Sequence, residues 1–302
     1  MNEFQRIRMM TGLTFLLSAI TGTILIVLVV RSIVKPIQRL SNASKELAGG
    51  NFDVMVEVKN MDEIGQLTSD FNLMAKELKN IDILRKDFVS NVSHEFKTPI
   101  TSVIGYAKLI RDSACTEEQL KEYSDIIINE SERLTLLSAN LLKLSELDSK
   151  VIREQSECYS LDEQIRKAIL LLEVQWGKKE LEFDIDLEEV TVLADKNLLQ
   201  QVWLNLIQNA IKFSKKKGIV TIRLYKNENM AIFKIIDQGI GIAEEDKNRI
   251  FERFYKGDKS RSKDGNGLGL VLVKKIVELS NGEVHFDSKV GEGSTFVVEL
   301  PL

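Results

Sequence analysis

Between Met9 and Val30 the sequence MMTGLTFLLSAITGTILIVLVV carries no charge. A bilayer span needs about 20 such residues, so the stretch predicts a transmembrane helix. Arg6 and Arg8 stand before it, and Arg31, Lys35 and Arg39 follow. The positive-inside signal is therefore divided and leaves orientation open. A cleaved signal peptide is the rival reading; the length of the run and the basic residues directly behind it stand against that.

The spacing then becomes helical. SIVKPIQRLSNASKELAGG places Ile37, Leu40 and Leu47 on one face and stops at Gly49 and Gly50. After a polar connector, DEIGQLTSDFNLMAKELKNI sets Ile64, Leu67, Phe71, Met74, Leu78 and Ile81 at spacings of three and four, a coiled-coil seam. Two such helices need partners, and a parallel four-helix bundle built by a homodimer is the economical structure. The seam slips from Ile81 to Leu84 before resuming at Phe88, which changes the local winding and marks a point where movement can pass onward. Val89, Val92, Phe96, Val103, Ala107 and Ile110 then continue a core face. A helix from about Thr116 to Leu147 repeats Leu120, Ile127, Leu134 and Leu141 every seventh residue, with Tyr123, Leu137 and Leu144 as companions. This predicts a helical hairpin whose stripe again calls for dimerisation. The prolines are Pro36, Pro99 and Pro301 alone, so little interrupts helix in the first half.

From about Glu157 the period changes. GIVTIRLY and NMAIFKIID alternate as strands, and DKNLLQQVWLNLIQNAIKFS is a helix, so an α/β sandwich follows. The expected fold class is multidomain α+β: a transmembrane helix, a parallel coiled coil, a dimeric four-helix bundle from helical hairpins, and a C-terminal α/β sandwich.

Composition narrows the function. The 302 residues suffice for two or three units, and 44% hydrophobic with 28% charged residues describes a folded chain. With 41 basic and 45 acidic residues the net charge is −4, which argues against nucleic acid as a partner. Cys115 and Cys158 lack metal-type spacing and fit a reducing compartment.

One of two histidines, His94, lies in NVSHEFKTPI. It stands two residues from Val92 and two from Phe96, so at about 100° per residue it points roughly 200° away from the core stripe. A packed core histidine would lie on the stripe; this one is presented as a nucleophile. Glu95 can hold one imidazole nitrogen and make the other more nucleophilic. Thr98, one turn on, shares the exposed face and can position a water or a partner's group. Pro99 should bend or loosen the helix just beyond.

Nine of the 17 glycines follow Gln238, seven of them in three clusters. Asp237-Gln238-Gly239-Ile240-Gly241 ends a strand, where Asp237 can accept from an adenine amino group and the glycines permit close backbone approach. Gly265-Asn266-Gly267-Leu268-Gly269 precedes the helix LVLVKKIVEL, whose first amides suit phosphate oxygens. Gly291-Glu292-Gly293-Ser294-Thr295 leads into the last strand. Each cluster alone is equally well a turn; their order after Asn205 and Asn209, four apart on one helix face, is what matters. An asparagine oxygen suits Mg²⁺, and Lys212 can neutralise phosphate. His285, in a strand, reads as structural.

Pro36 together with Asp62-Glu63-x-Gly65 resembles the HAMP relay module, an ordinary coiled coil being the alternative. His94-Glu95-Phe96-Lys97-Thr98-Pro99 resembles the phosphoacceptor motif of two-component sensor histidine kinases, with Lys97 where arginine is common. Asn209-Ala210-x-Lys212-Phe213-Ser214 and the glycine clusters resemble the ATP-binding domain shared by histidine kinases, Hsp90-type chaperones, gyrase and mismatch-repair ATPases. Phe251-Glu252-Arg253-Phe254-Tyr255 resembles the aromatic part of the kinase lid, here 243–266.

The resemblance implies ATP-dependent phosphorylation of His94, transfer to an aspartate of a response regulator receiver domain, and dephosphorylation of that regulator through Thr98. It implies ATP and Mg²⁺ as cofactors, with Asn209 as the metal ligand, Asp237 on adenine and Gly265, Gly267 and Gly269 around phosphate. Asn205, Lys212, Gly239, Gly241, Leu268 and Thr295 complete the expected nucleotide site, and Arg253 and Lys256 are weaker phosphate contacts. The implied domains are a short N-terminal segment 1–8, a transmembrane helix 9–30, a HAMP linker 31–83, a dimerisation and phosphoacceptor domain 84–150 and an ATP-binding domain 155–302, with a hinge between Leu144 and Cys158. Partners are a second copy and a receiver domain, and the location is a bacterial cell membrane, crossed once, with the C-terminal domains cytoplasmic. Only eight residues precede Met9, so no extracytoplasmic sensor is expected in this chain, and input would come through the membrane, from a membrane-protein partner, or from a part that a fragment lacks. A membrane-tethered scaffold without turnover, and a serine kinase or chaperone ATPase on the same nucleotide fold, are the rival readings.

Overall fold

The computed structural model describes residues 3–59, 61–113, 115–149, 156–257 and 265–302, and side chains from residue 7 onward except 8 and 9. The chain divides into two compact units, Met1–Ser90 and Asn91–Leu302.

In the first unit, helix α1 (Glu3–Val29) runs through one wide π-type segment, Val30–Val34, into α2 (Lys35–Ala48). Pro36 explains the change of register, because its nitrogen has no proton to give Ser32 O one turn earlier. The apolar window within Met10–Ala48 is long enough to cross a membrane and is exposed throughout. Its hydroxyls turn inward: Thr21 Oγ1 donates to Leu17 O at 2.9 Å and Thr23 Oγ1 to Ala19 O at 2.8 Å. Only apolar surface then faces outward, which is what hydrocarbon requires.

Leu40, Ala43 and Leu47 of α2 are buried with Phe71 and Ala75 of α3 (Glu63–Asp112), and Phe52, Val54 and Val56 of the connector pack on them. Asn72 pins that connector: its Oδ1 accepts from Val56 N at 2.9 Å and its Nδ2 donates to Val56 O at 2.8 Å. The predicted seam is therefore split. Phe71 is buried within the chain, whereas Ile37, Leu67, Met74, Leu78 and Ile81 remain exposed. The connector covers the face of Gly65, Thr68, Phe71 and Ala75, and the rest of the seam stays exposed.

The second unit begins with the C-terminal part of α3 and with α4 (Glu117–Asp148). A capping box starts α4, with Gln119 N donating to Thr116 Oγ1 at 3.2 Å and Thr116 N to Gln119 Oε1 at 3.1 Å. The rings of Tyr106 and Tyr123 meet at 5.3 Å across the hairpin. Pro99 lies buried inside α3, which continues past it to Asp112. Leu137, Leu144 and Leu147 are buried, but Ile104, Leu120, Ile128, Leu136 and Leu142 are exposed. Apolar surface thus remains on the hairpin at Leu120 of the predicted stripe and beside the stripe at Ile104, Ile128, Leu136 and Leu142.

The sandwich has a two-stranded antiparallel pair, β1 (Ser156–Ser160) with β3 (Thr191–Asp195), and a five-stranded sheet in the order β2-β4-β5-β7-β6. In that sheet β2 (Glu182–Leu187) runs parallel to β4 (Ile219–Asn227); β5 (Met230–Asp237), β7 (Gly293–Pro301) and β6 (Glu283–Lys289) continue antiparallel. Helices α5 (Leu161–Leu171), α6 (Glu173–Lys178), α7 (Lys196–Phe213) and α8 (Gly269–Leu279) complete it. The alternation read from GIVTIRLY buries Val220, Ile222 and Leu224 against the helices. Trp203 of α7 is fully buried, 4.7 Å from the Phe233 ring, and its Nε1 donates to Gln164 Oε1 at 2.9 Å. The multidomain α+β architecture expected from the periodicities is the one observed.

Candidate functional site

The helical phase of α3 exposes His94 and leaves Glu95 half-buried beside it. Both oxygens of Glu95 face cations: Lys256 Nζ lies 2.6 Å from Oε1, and Arg133 Nη2 of α4 lies 3.5 Å from Oε2. The Glu95 and Lys256 side chains are 18% and 19% exposed, so solvent screens this pair less than a surface one. Sequence reasoning assigned Glu95 to the imidazole; here its carboxylate is engaged by Lys256, which belongs to the expected lid segment. Thr98 Oγ1 points back along the helix to His94 O at 3.4 Å, a long contact that leaves the hydroxyl on the exposed face.

A second ionic contact lies at the foot of α4. Asp148 Oδ2 is 2.5 Å from Arg253 Nη2, and Asp148 Oδ1 is 3.1 Å from Lys275 Nζ of α8. Burial works to raise the Asp148 carboxyl, but the hydrogen bonds from Arg253 and Lys275 outweigh it and hold it below the usual carboxylate range. Leu144 and Leu147 join the sandwich core next to it. The first part of the expected hinge is therefore packed, and residues 150–155 of it lie outside the described residues. Sequence reasoning missed Arg133, Asp148 and Lys275. Their only sequence signal is charge at the rim of an apolar stripe, which most solvated helix faces share.

The nucleotide-type residues meet at one end of the five-stranded sheet. Strand β5 ends at Asp237, paired in register with Val220 on one side and Ser294 on the other. Asp237 is 6% exposed. Burial pushes its carboxyl up to about 6, although backbone hydrogen bonds from Gly239 and Ser294 pull the other way. Gly239 N donates to Asp237 Oδ1 at 2.8 Å. A β-bridge joins Gly239 to Ser214 at the end of α7, and the Ser214 hydroxyl is buried there with no partner. Gly241 has φ +66°, and a Cβ there would run into Lys289 O, so the turn admits only glycine. Thr295 is one position further along β7, opposite Ile236.

Helix α7 is started by Asp195, whose Oδ1 accepts from Asn197 N and Leu198 N, both at 3.0 Å. Its buried face fixes the phase, so Asn205 and Asn209 both stand half-buried on the side away from the core. Asn205 Nδ2 donates to Gln201 O at 2.9 Å, and a Cβ added to Gly269 would lie 2.8 Å from Asn205 Oδ1. A Cβ on Gly265 would lie 2.6 Å from Lys212 Nζ. Residues separated by more than fifty positions are thus neighbours: the asparagine helix and the second glycine cluster line one place. Gly267, at φ +67°, accepts from Phe254 N at 3.0 Å, which joins the aromatic segment to the loop. Leu268 is fully buried and anchors the start of α8, whose first turn has no side-chain cap. Phe251 packs edge-on to Phe286 at 5.8 Å. Residues 258–264 of the expected lid lie outside the described residues.

This arrangement fits an adenine nucleotide: a buried acceptor and an unspent hydroxyl at one end, glycine-lined backbone amides at the other, and a lysine beside them. Among the described residues no group of three His, Cys, Asp or Glu could hold a metal ion alone. An ion such as Mg²⁺ would depend on few protein oxygens, with Asn209 on the right face, and on phosphate oxygens.

Three domain families match in succession: the HAMP domain over residues 28–80, the His Kinase A (phospho-acceptor) domain over 84–150, and the histidine kinase-, DNA gyrase B- and HSP90-like ATPase over 194–302. The heme sensor protein HssS of Staphylococcus saprophyticus is 36% identical over 295 residues, which is 98% of this chain and 64% of that protein. The chain therefore spans somewhat less than two thirds of that relative. Among solved structures, the Acinetobacter baumannii histidine kinase AdeS matches with a TM-score of 0.58 and 28% identity over 69% of this chain and 97% of that one. The histidine kinase ThkA, in complex with the response regulator protein TrrA, matches with a TM-score of 0.61 and 28% identity over 75% of this chain and 64% of that one. With relay, phosphoacceptor and ATPase families following one another as the helices and sandwich do, the chain belongs to the sensor histidine kinases of two-component signalling.

Proposed function

We propose that this chain uses Mg·ATP to phosphorylate His94 and passes the phosphoryl group to an aspartate of a response regulator. One observation carries the reading. Asp237, Asn205, Asn209, Lys212 and the Gly265–Gly269 loop converge on one end of the sheet, in the same compact unit as an exposed His94. Asp237 accepts from the adenine amino group and Lys212 offsets phosphate charge. Mg²⁺, held through Asn209, supplies further charge neutralisation. One imidazole nitrogen of His94 attacks the γ-phosphorus, the bond to the β,γ-bridging oxygen breaks and ADP leaves; Glu95 receives or steadies the proton on the other ring nitrogen. Glu95 must first leave Lys256, so the ion pair describes a resting arrangement. Positioning and charge neutralisation supply most of the catalysis in such transfers.

Thr98, exposed beside His94, serves the reverse activity by orienting water toward the phosphorylated regulator. The exposed stripes of α3 and α4 are covered by a second copy. The apolar helix α1 anchors the chain in a bacterial membrane, with the ATP-using domains on the cytosolic side. A membrane protein that delivers the stimulus is a further partner.

Incubation of the full chain with γ-labelled ATP and Mg²⁺ tests the reading. Acid-labile, base-stable label that disappears in His94→Gln is expected. No label on the wild-type protein would favour a membrane-tethered scaffold, and acid-stable phosphoserine would favour a serine kinase.

A further inference from the structure

Helix α7 carries Asn205, Asn209 and Lys212, and its last turn presents backbone carbonyls that have no helical donor of their own. One ammonium gathers them. Lys179 Nζ donates to Ile211 O at 2.7 Å, to Lys212 O at 2.7 Å and to Ser214 O at 3.3 Å. All three protons of a lysine are thereby used, and its charge sits at the negative end of the helix dipole. The lysine is itself held in place: it is the C-cap of α6, and its carbonyl accepts from Lys217 N at 3.0 Å in the turn that follows α7.

The clamped turn abuts the buried end of the nucleotide site. Ser214 bridges to Gly239, and a Cβ on Gly239 would lie 2.6 Å from Phe213 O. Gly239 in turn donates to Asp237 Oδ1. The path from Lys179 to the Asp237 carboxylate is thus Ser214 and then Gly239, with a hydrogen bond or bridge at every step. At the other end of the site, Lys212 lies against Gly265. A small unwinding of the α7 terminus would move the backbone on which Gly239 rests.

The geometry points to Lys179 as a positioning residue for nucleotide binding. It sets the α7 terminus, and through Ser214 and Gly239 the adenine end of the site, while remaining outside the reacting atoms. The inference rests on the ATP-binding reading above. Its signature is a split: affinity for nucleotide falls, while phosphorylation of His94 at saturating ATP is preserved.

The experiment uses the full chain in detergent or nanodiscs, with MgADP binding measured by calorimetry and initial His94 labelling measured against ATP concentration. Lys179→Met keeps the stem and removes the donors. It should raise the MgADP Kd and the KM for ATP about tenfold, with the saturated rate within about twofold of wild type, the size expected for losing charge-assisted hydrogen bonds. Lys179→Arg, which keeps charge and donors, should recover part of the affinity. An unchanged Kd in Lys179→Met, or a lost saturated rate with KM intact, overturns the inference. Should Lys179→Met not melt cooperatively, Lys179→Gln decides in its place by the same split. Failure of the wild-type chain to bind MgADP would instead remove the nucleotide reading itself.

Discussion

Replacing Asp237 by asparagine should stabilise the nucleotide-free protein while weakening its hold on nucleotide. The carboxyl is 6% exposed, and burial raises it from 3.8 to about 6. At about 1.4 kcal/mol per tenfold change in acidity, ionisation in the fold costs about 3 kcal/mol at pH 7.5. An amide of the same shape carries no such penalty. It keeps an acceptor for Gly239 N, now 2.8 Å from Asp237 Oδ1, and the opposing pull of that bond on the carboxylate is already contained in the value of about 6. The variant should therefore be more stable at pH 7.5, by at most about 3 kcal/mol. Because the folded pKa is the higher one, the proton-linked stability of the wild type is complete below 3.8 and is lost as the pH rises through about 6. The advantage of Asp237→Asn should accordingly vanish near pH 4 and grow toward pH 7. Urea titration followed by tryptophan fluorescence reads the right domain, since the only two tryptophans, Trp176 and Trp203, both lie in the sandwich. A variant less stable than wild type at pH 7.5, or a difference independent of pH, would refute the assignment of a strained buried carboxylate. MgADP affinity should fall at least tenfold in the same variant.

Two further expectations concern packing and the resting contact. Gln164→Leu would strand the buried Trp203 Nε1 and the Lys196 carbonyl that Gln164 Nε2 reaches at 2.6 Å, so it should cost about 1 to 3 kcal/mol in the same urea titration; a neutral result would show that the pair is not buried from water. Asp148→Asn removes the charge that clasps Arg253 and Lys275, and should raise the initial rate of His94 labelling severalfold at low salt and less at high salt; an unchanged or slower rate would show that the contact does not restrain the kinase.

Much of this molecule was legible along the chain because the relevant physics is local. An uncharged run of membrane length, seven-residue repeats in α4 and alternation in β4 each follow from a period that the sequence states directly. So did the outward face of His94, which needs only the helical phase relative to Val92 and Phe96. The glycine turns were legible for a different reason: Gly241 and Gly267 hold backbone conformations that glycine supplies, while the nucleotide role proposed for them is carried by a resemblance. The seam of the first unit was read only in part. Its pattern could not say that the connector would occupy the face of Thr68, Phe71 and Ala75, held there by Asn72, and leave Leu67, Met74 and Ile81 uncovered.

What the chain determined by itself, then, was which elements form and which residue types carry chemistry, since both depend on spacing over a few turns. Tertiary structure alone decided the pairings between distant charges. Glu95 meets Lys256 across 161 positions, and Asp148 meets Arg253 across 105. Lys179 reaches the end of α7 more than thirty positions away. A lysine or an aspartate reads the same in sequence whether it is solvated or clamped. Its energy depends on how much water the fold removes and on which partner lies within about 3 Å once water is gone.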